Sequence, residues 1–448
     1  MKRQFDLTEG PIFNKLLTLS LPIMATSFIQ MANNMTGIFW LSRLGTEYVA
    51  AAGLAGQFLW LSMAFMFMCR IGAEIGVSQN IGKGNHEDAK KYAQNGFVLA
   101  IIVGTVFTVA VILLRSYLIR FFNMDDPVVV DIANRYLMVV AVSIPFSFGH
   151  FVITGVYGGY GNTKIPFFIN GFGLLLNIVI SPILIFVVGL GVYGAAIGMI
   201  IASATNLCLK LWAMKKYSGR PFAQYSILAK INWDKILQIL RWGVPVAAES
   251  FLFTTLFMVV SRLIASDFGQ GAVAAHSVAM NVESLAFMAA GGFASAITAF
   301  IGQNFGAKKW SRIRSTYRIA TLVMMAYGAL VTITLFVFAT PLVSIFLDYP
   351  PDIIIGRDYL RIIGLAQLLF CMEGVASGSF RGRGLTYKPS IVSIISNILR
   401  VFVAYFLAAS ALGINGVWIG IAIAMTVRSV WILVWHFIDM RKRPRVDE

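Results

Sequence analysis

Apolar residues run along this chain in long unbroken stretches, and polar residues gather in the short gaps between them. Runs of about 20 apolar residues suit helices that cross a bilayer, whereas barrel strands would alternate over about ten. The pattern predicts about twelve spans. They fall near 17–42, 48–78, 93–114, 132–158, 164–188 and 191–213, then near 238–265, 274–302, 317–340, 356–380, 388–410 and 413–436. The longest polar stretch, 215–235, separates two sets of six. The expected organisation is all-α and polytopic, with two pseudo-symmetric six-helix lobes. These are an N-lobe over 1–214, a linker over 215–237 on the cytoplasmic side, and a C-lobe over 238–448. Ile231–Ile239 is expected to begin an interfacial helix that leads into the seventh span.

The two sets repeat one plan. Pro22 pairs with Pro245, and Ser27-Phe28 with Ser250-Phe251, at an offset of 223. Gln79-Asn80 pairs with Gln303-Asn304 at 224, GVYGGYGNTKIP with GSFRGRGLTYKP at 223, and Gly194 with Gly416 at 222. Six spans, an even number, separate the copies, so both keep the same orientation. The expected relation is an axis along the membrane normal, with a central cleft between the lobes as the substrate path.

Composition narrows the class. Hydrophobic residues make up 58% of the chain and charged ones 12%, about half the share in a soluble domain. The net charge of +16 would suggest nucleic acid in a soluble protein. Here no nucleic-acid partner is expected, because the lysines and arginines collect in loops of one side. These are Lys2 and Arg3, Lys83, Lys90 and Lys91, the linker lysines, Lys308 to Arg314, and Arg441 to Arg445. The positive-inside rule puts that side and both termini in the cytoplasm, in a multi-pass plasma-membrane protein. The opposite loops carry Asp125, Asp126 and Asp131, and Asp348, Asp352 and Asp358. Cys69, Cys208 and Cys371 lack metal-ligand spacing and are expected as small core residues, so no metal site is predicted. The start, MKRQFDLTEG, runs straight into the first span, so no cleaved leader is expected.

Taken in order, LPIMATSF, SRLGTEYVAAAGL, SQNIGKG, GYGNTKIP, GVYGAAIG, AAHSVAMNVESL, IGQNFGAKK and FRGRG cover nearly the whole chain. Together they resemble the multidrug and toxic compound extrusion (MATE) family, in its DinF-like branch. The resemblance implies twelve helices in two lobes. It implies export of organic cations or amphipathic compounds in exchange for protons or sodium ions, with no cofactor beyond that ion. It further implies a monomer, with membrane lipid and small molecules as its partners. Two acids of the family pattern are missing. Gly37 stands eight residues before the Gly45 turn where the family has an Asp in span one, and Ser181 stands four residues after Asn177 where relatives can carry another.

Ion coupling therefore falls on the C-lobe acids. A carboxyl group in hydrocarbon is costly and marks a functional site by default. A carboxylate for which proton, metal ion and cationic drug compete would by itself give antiport. Glu249 lies one turn after Pro245, where pairing with Arg241 or a neighbouring lobe residue is the structural alternative. Glu283 lies mid-span in NVESL, where a helix–helix hydrogen bond is the alternative. Glu373 lies in span ten, and the resemblance pairs an acid in span seven with one in span ten. Arg70 and Glu74 sit four apart on one helix face as an ion pair, structural or gating. Arg400, the repeat partner of Asn177, could neutralise a C-lobe acid. Asn33, Asn34, Asn177 and Ser181 form a candidate neutral patch that binds substrate or joins helices. His276 is a lesser candidate for carrying a proton.

A secondary multidrug exporter working by alternating access is the leading reading. A lipid-linked oligosaccharide flippase of the same superfamily is the alternative and would need a more cationic cleft. A polytopic membrane enzyme is disfavoured, since no clustered Asp, His or Arg motif is found. No GxxxxGK[ST] loop is present to suggest ATP drive.

Overall fold

The computed structural model describes residues 6–120, 126–217, 219–222, 225–226 and 230–443. Lys2, Arg3, Asp125 and Arg445 lie outside them. The order is α1 (Ile12–Ser42), α2 (Thr46–Gly82), α3 (His86–Arg120), α4 (Pro127–Ala141), α5 (Ser143–Tyr160), α6 (Lys164–Pro182) and α7 (Val192–Lys216). It continues with α8 (Trp233–Gly306), α9 (Trp310–Val337), α10 (Ala339–Ser344), α11 (Pro350–Gly382), α12 (Tyr387–Ala408) and α13 (Ile414–Arg441).

By length and hydropathy ten helices can each cross a bilayer, and the pair α4–α5, bent by 43°, makes an eleventh span. At about 1.5 Å per residue a 74-residue helix is far too long for one crossing. Its backbone breaks at Gly269, with φ 79° and ψ −175°, a conformation open in practice to glycine alone. Division there restores the twelfth span. Local chemistry fixes other ends. Asp126 caps α4 by accepting from Val128 N at 2.8 Å, with Pro127 at the first helical position.

The chain forms two compact units. One holds residues 25–247 with the short start of the chain, and the other holds 7–24 with 248–448. The start of α1 thus counts with the second unit, and the start of α8 with the first. In the first unit α2 packs on α3, α4 and α5, and α6 packs on α7. In the second, α11 packs on α9 and α13, and α12 on α13.

Both units use the same close contacts. A Cβ at Gly159 of α5 would lie 2.7 Å from the Glu74 carbonyl of α2. At the repeat-related Gly382 of α11 it would lie 2.5 Å from the Thr298 carbonyl of α8. Each glycine follows another by four residues, Gly155 and Gly378, so each helix presents a small-residue face. In a bilayer such faces let helices gain dispersion contact that lipid would otherwise supply.

Each unit is also clasped from a distant part of the chain. In the first, Asn232 N donates to Asn95 Oδ1 at 2.8 Å, and Gln94 donates to the Ser226 carbonyl at 2.9 Å. In the second, Leu7 N donates to Gln303 Oε1 at 3.0 Å, and Arg312 reaches the carbonyls of Leu7, Glu9 and Gly10. Cys69 and Cys371 are buried as expected, but Cys208 is exposed.

Candidate functional site

Glu283 sits mid-way along the second half of α8, half-buried. Two neutral side chains of α11 hold it. Tyr359 OH donates to Oε2 at 2.7 Å, and Gln367 Nε2 donates to Oε1 at 2.8 Å. The donors are eight residues apart, about two turns, so one helix face grips both carboxylate oxygens. His276, two turns upstream of Glu283, stacks on Trp418 of α13 at 5.0 Å and meets the Tyr359 ring edge-on at 5.3 Å. Trp418 in turn meets Tyr359 at 4.9 Å. His276 thus belongs to the aromatic wall beside the acid.

Arg400 of α12 lies within electrostatic reach of Glu283 and Tyr359, and its guanidinium stands over the Phe253 ring at 5.7 Å. His276 Nε2, Trp418 Nε1, Arg400 Nε and Gln367 Oε1 are buried without a hydrogen-bond partner among the described residues. Unsatisfied buried polar atoms are rare in folded proteins and point to water, ions or ligand. The oxygens of Glu283, Tyr359 and Gln367 are hard donors of the kind that suits a proton or an alkali cation rather than a soft metal.

The other two C-lobe acids are spoken for. Glu249 accepts from Ser390 Oγ at 2.8 Å and pairs with Arg381 at 3.4 Å. Of the two alternatives for its partner, Arg241 or a neighbouring lobe residue, the second holds, with Arg381 of α11. Glu373 is buried and pairs with Arg428 Nε at 2.9 Å, with Ser429 Oγ at 3.2 Å. The three acids share no partner. Glu249 and Glu373 each add an arginine to a serine donor, whereas the donors on Glu283 are both neutral.

In the first unit, Asn177 Nδ2 donates to Asn33 Oδ1 at 2.6 Å, and Ser181 Oγ donates to Asn177 Oδ1 at 2.6 Å. Three of the four patch residues therefore form one chain that ties α1 to α6. Asn34 stands outside this chain of hydrogen bonds and is exposed. Arg70 and Glu74 pair at 3.9 Å on α2, as their spacing predicts.

Sequence reading passed over two clusters. Lys210 of α7 is fully buried. Its ammonium donates to Thr154 Oγ1 and Asn170 Oδ1, each at 2.8 Å, and to the His150 carbonyl at 3.3 Å, and it meets His150 Nδ1 at 3.2 Å. No carboxylate is among these partners. A lysine inside the apolar run LCLKLW, rather than at its end, was the available signal. In the second unit Asp439 binds Arg383 and Lys388, and His436 meets Ser379 Oγ at 2.8 Å. Asp439 was masked in the sequence by the basic tail that follows it.

The MatE family model matches residues 22–183 and again 245–406. Both limits of the second match lie 223 residues after those of the first, the offset of the internal repeat. The chain is 29% identical to "Probable multidrug resistance protein NorM" of Thermotoga maritima over all of this chain and 98% of that one. It is 25% identical to "Probable multidrug resistance protein YoeA" of Bacillus subtilis, over 97% and 96%. Among solved structures, one described as MATE in the bent conformation matches with a TM-score of 0.91 at 22% identity, over 98% of each chain. An outward-facing multidrug resistance MATE family transporter of the MOP superfamily matches at 0.89 and 24%, over 99% of this chain and 100% of the other.

Proposed function

Since the chain belongs to the MatE family, we propose that it expels organic cations and amphipathic compounds across the plasma membrane by cation antiport, with Glu283 as the carboxylate where coupling ion and substrate compete. The chain is a multi-pass membrane transporter of the multidrug export class, and its full-length relatives carry multidrug resistance names. One observation supports the choice of acid: Glu283 is half-buried in an apolar helix and held only by the neutral donors Tyr359 and Gln367. A carboxylate already paired with arginine gains little from a further cation, which argues against Glu249 and Glu373. Those two serve as fixed charges that tie α8 to α11 and α12, and α11 to α13.

On this reading a proton or sodium ion on Glu283 releases the substrate cation, and its loss on the cytoplasmic side lets the next one load. The two units alternate access, the chain works as a monomer in lipid, and both termini are cytoplasmic. The oxygen set at Glu283 serves either coupling ion. Asn33, Asn177 and Ser181 contribute hydrogen bonds to a neutral N-lobe surface. An anionic, lipid-linked substrate is the weaker reading, because Lys210 is saturated by neutral acceptors, Arg70 is paired with Glu74, and Arg400 faces the charge of Glu283.

Ethidium efflux from cells tests the assignment. Glu283→Gln should stop efflux at wild-type expression, while Glu249→Gln keeps a measurable rate. Normal efflux by Glu283→Gln sinks it.

A further inference from the structure

A second feature belongs to the first unit, at its lysine-rich end. A cavity of about 840 Å³ opens between the start of α3, the end of α7 and the segment before α8. Four lysines, Lys90, Lys91, Lys215 and Lys230, line it against one acid, Glu87.

The floor is closed and internally satisfied. Gln94 donates to the Ser226 carbonyl, Asn95 Oδ1 accepts from Asn232 N, and Tyr225 OH donates to the Ala93 carbonyl at 3.5 Å. The rim is not. Lys90 leans on Glu87 at 3.7 Å, and Lys91 shares Asp88 with Lys235. Lys215 and Lys230 have no acidic partner among the described residues and are exposed. Positive charge is therefore in surplus around a concave, preformed floor.

Apolar surface adjoins it. Ile231 lines the cavity and is 49% exposed, and the chain continues into Trp233 at 74% and Leu237 at 69%. Trp233 and Leu237 are one turn apart, on one face of the start of α8. Exposed Trp212 and Tyr217 flank Lys215 in sequence. Exposed aromatic rings beside lysines are the signature of the headgroup layer, and an apolar helix face beside basic residues lies in that layer.

We infer that this cavity binds the phosphate headgroup of an anionic phospholipid, with Lys215 and Lys230 on the phosphate and the acyl chains along Ile231, Trp233 and Leu237. A free phosphate compound would satisfy the lysines equally, but it would leave the exposed apolar face unused. The occupant favoured is therefore the lipid. Basic pockets at the inner surface recognise anionic headgroups in this way.

Native mass spectrometry of the purified full chain tests this, with titrations of phosphatidylglycerol, phosphatidylcholine and pyrophosphate. Phosphatidylglycerol should bind at least tenfold tighter than phosphatidylcholine. Attraction to an anionic surface contributes roughly fivefold per lysine. The double variant Lys215→Gln/Lys230→Gln should therefore weaken phosphatidylglycerol on the order of 25-fold, and leave phosphatidylcholine unchanged. Both side chains are exposed, so the variant should melt like wild type, and Lys442→Gln, which does not line the cavity, serves as the control. Equal binding of the two lipids, or an unchanged double variant, overturns the inference. So does saturable pyrophosphate binding without lipid selectivity, which would assign the cavity to a soluble phosphate.

Discussion

Tyr359 of α11 donates its hydroxyl to Glu283 of α8 at 2.7 Å, across 76 residues of sequence. With Gln367 on the other oxygen, the contact fixes the carboxylate's orientation without neutralising it. That combination separates Glu283 from the other acids of its unit. Replacement of Tyr359 by Phe removes one of two donors and leaves the ring's packing on His276 and Trp418. The expected loss is about 1–2 kcal/mol of grip on the charged carboxylate, seen as a roughly tenfold change in the coupling-ion concentration that half-saturates transport.

Buried Glu373 pairs with the part-buried Arg428. Glu373→Gln alone strands a guanidinium and should cost about 3 kcal/mol of stability. The double variant Glu373→Gln/Arg428→Gln should recover most of that in thermal melts of the purified protein. If the double variant is as unstable as the single one, the pair does not act as a unit.

Lys210 gives a test in the first unit. Lys210→Met leaves Asn170 Oδ1 and Thr154 Oγ1 short of a donor inside the fold, at a cost of about 3 kcal/mol. Lys210→Gln keeps a donor and should cost less. Melting temperatures of the two variants, compared with wild type, check the order.

Gly37 meets nothing within 4 Å of where a Cβ would stand. Gly37→Asp should therefore express and melt like wild type, one turn from Asn33 on the same helix face. Gly159→Leu should fail, because its side chain would enter the α2 backbone. Expression and size-exclusion profiles distinguish the pair.

The spans, the repeat and the costly placement of Glu283 were legible because each is written in local sequence. Apolar run length gives a helix, and the 223-residue offset gives the duplication that the two MatE matches reproduce. The partners were not legible. Tyr359 and Gln367 on α11, Arg428 on α13 and Arg381 on α11 come from helices that no spacing rule joins to the acids they hold. For Glu249 the sequence allowed Arg241 or a neighbouring lobe residue, and nothing in it singled out Arg381. Lys210 stood out only as a lysine inside an apolar run; its burial against His150, Thr154 and Asn170 is a tertiary fact. Gly269 stood in a polar turn, yet the chain stays helical up to it and again after it.

The most direct test of Glu283 is substrate transport in proteoliposomes under an imposed proton gradient, then an imposed sodium gradient. Wild type, Glu283→Gln and Glu249→Gln should be compared after each is shown to melt normally. The account predicts that one gradient drives transport by wild type, that Glu249→Gln keeps a reduced response, and that Glu283→Gln responds to neither. Gradient-driven transport by Glu283→Gln at the wild-type rate would contradict it.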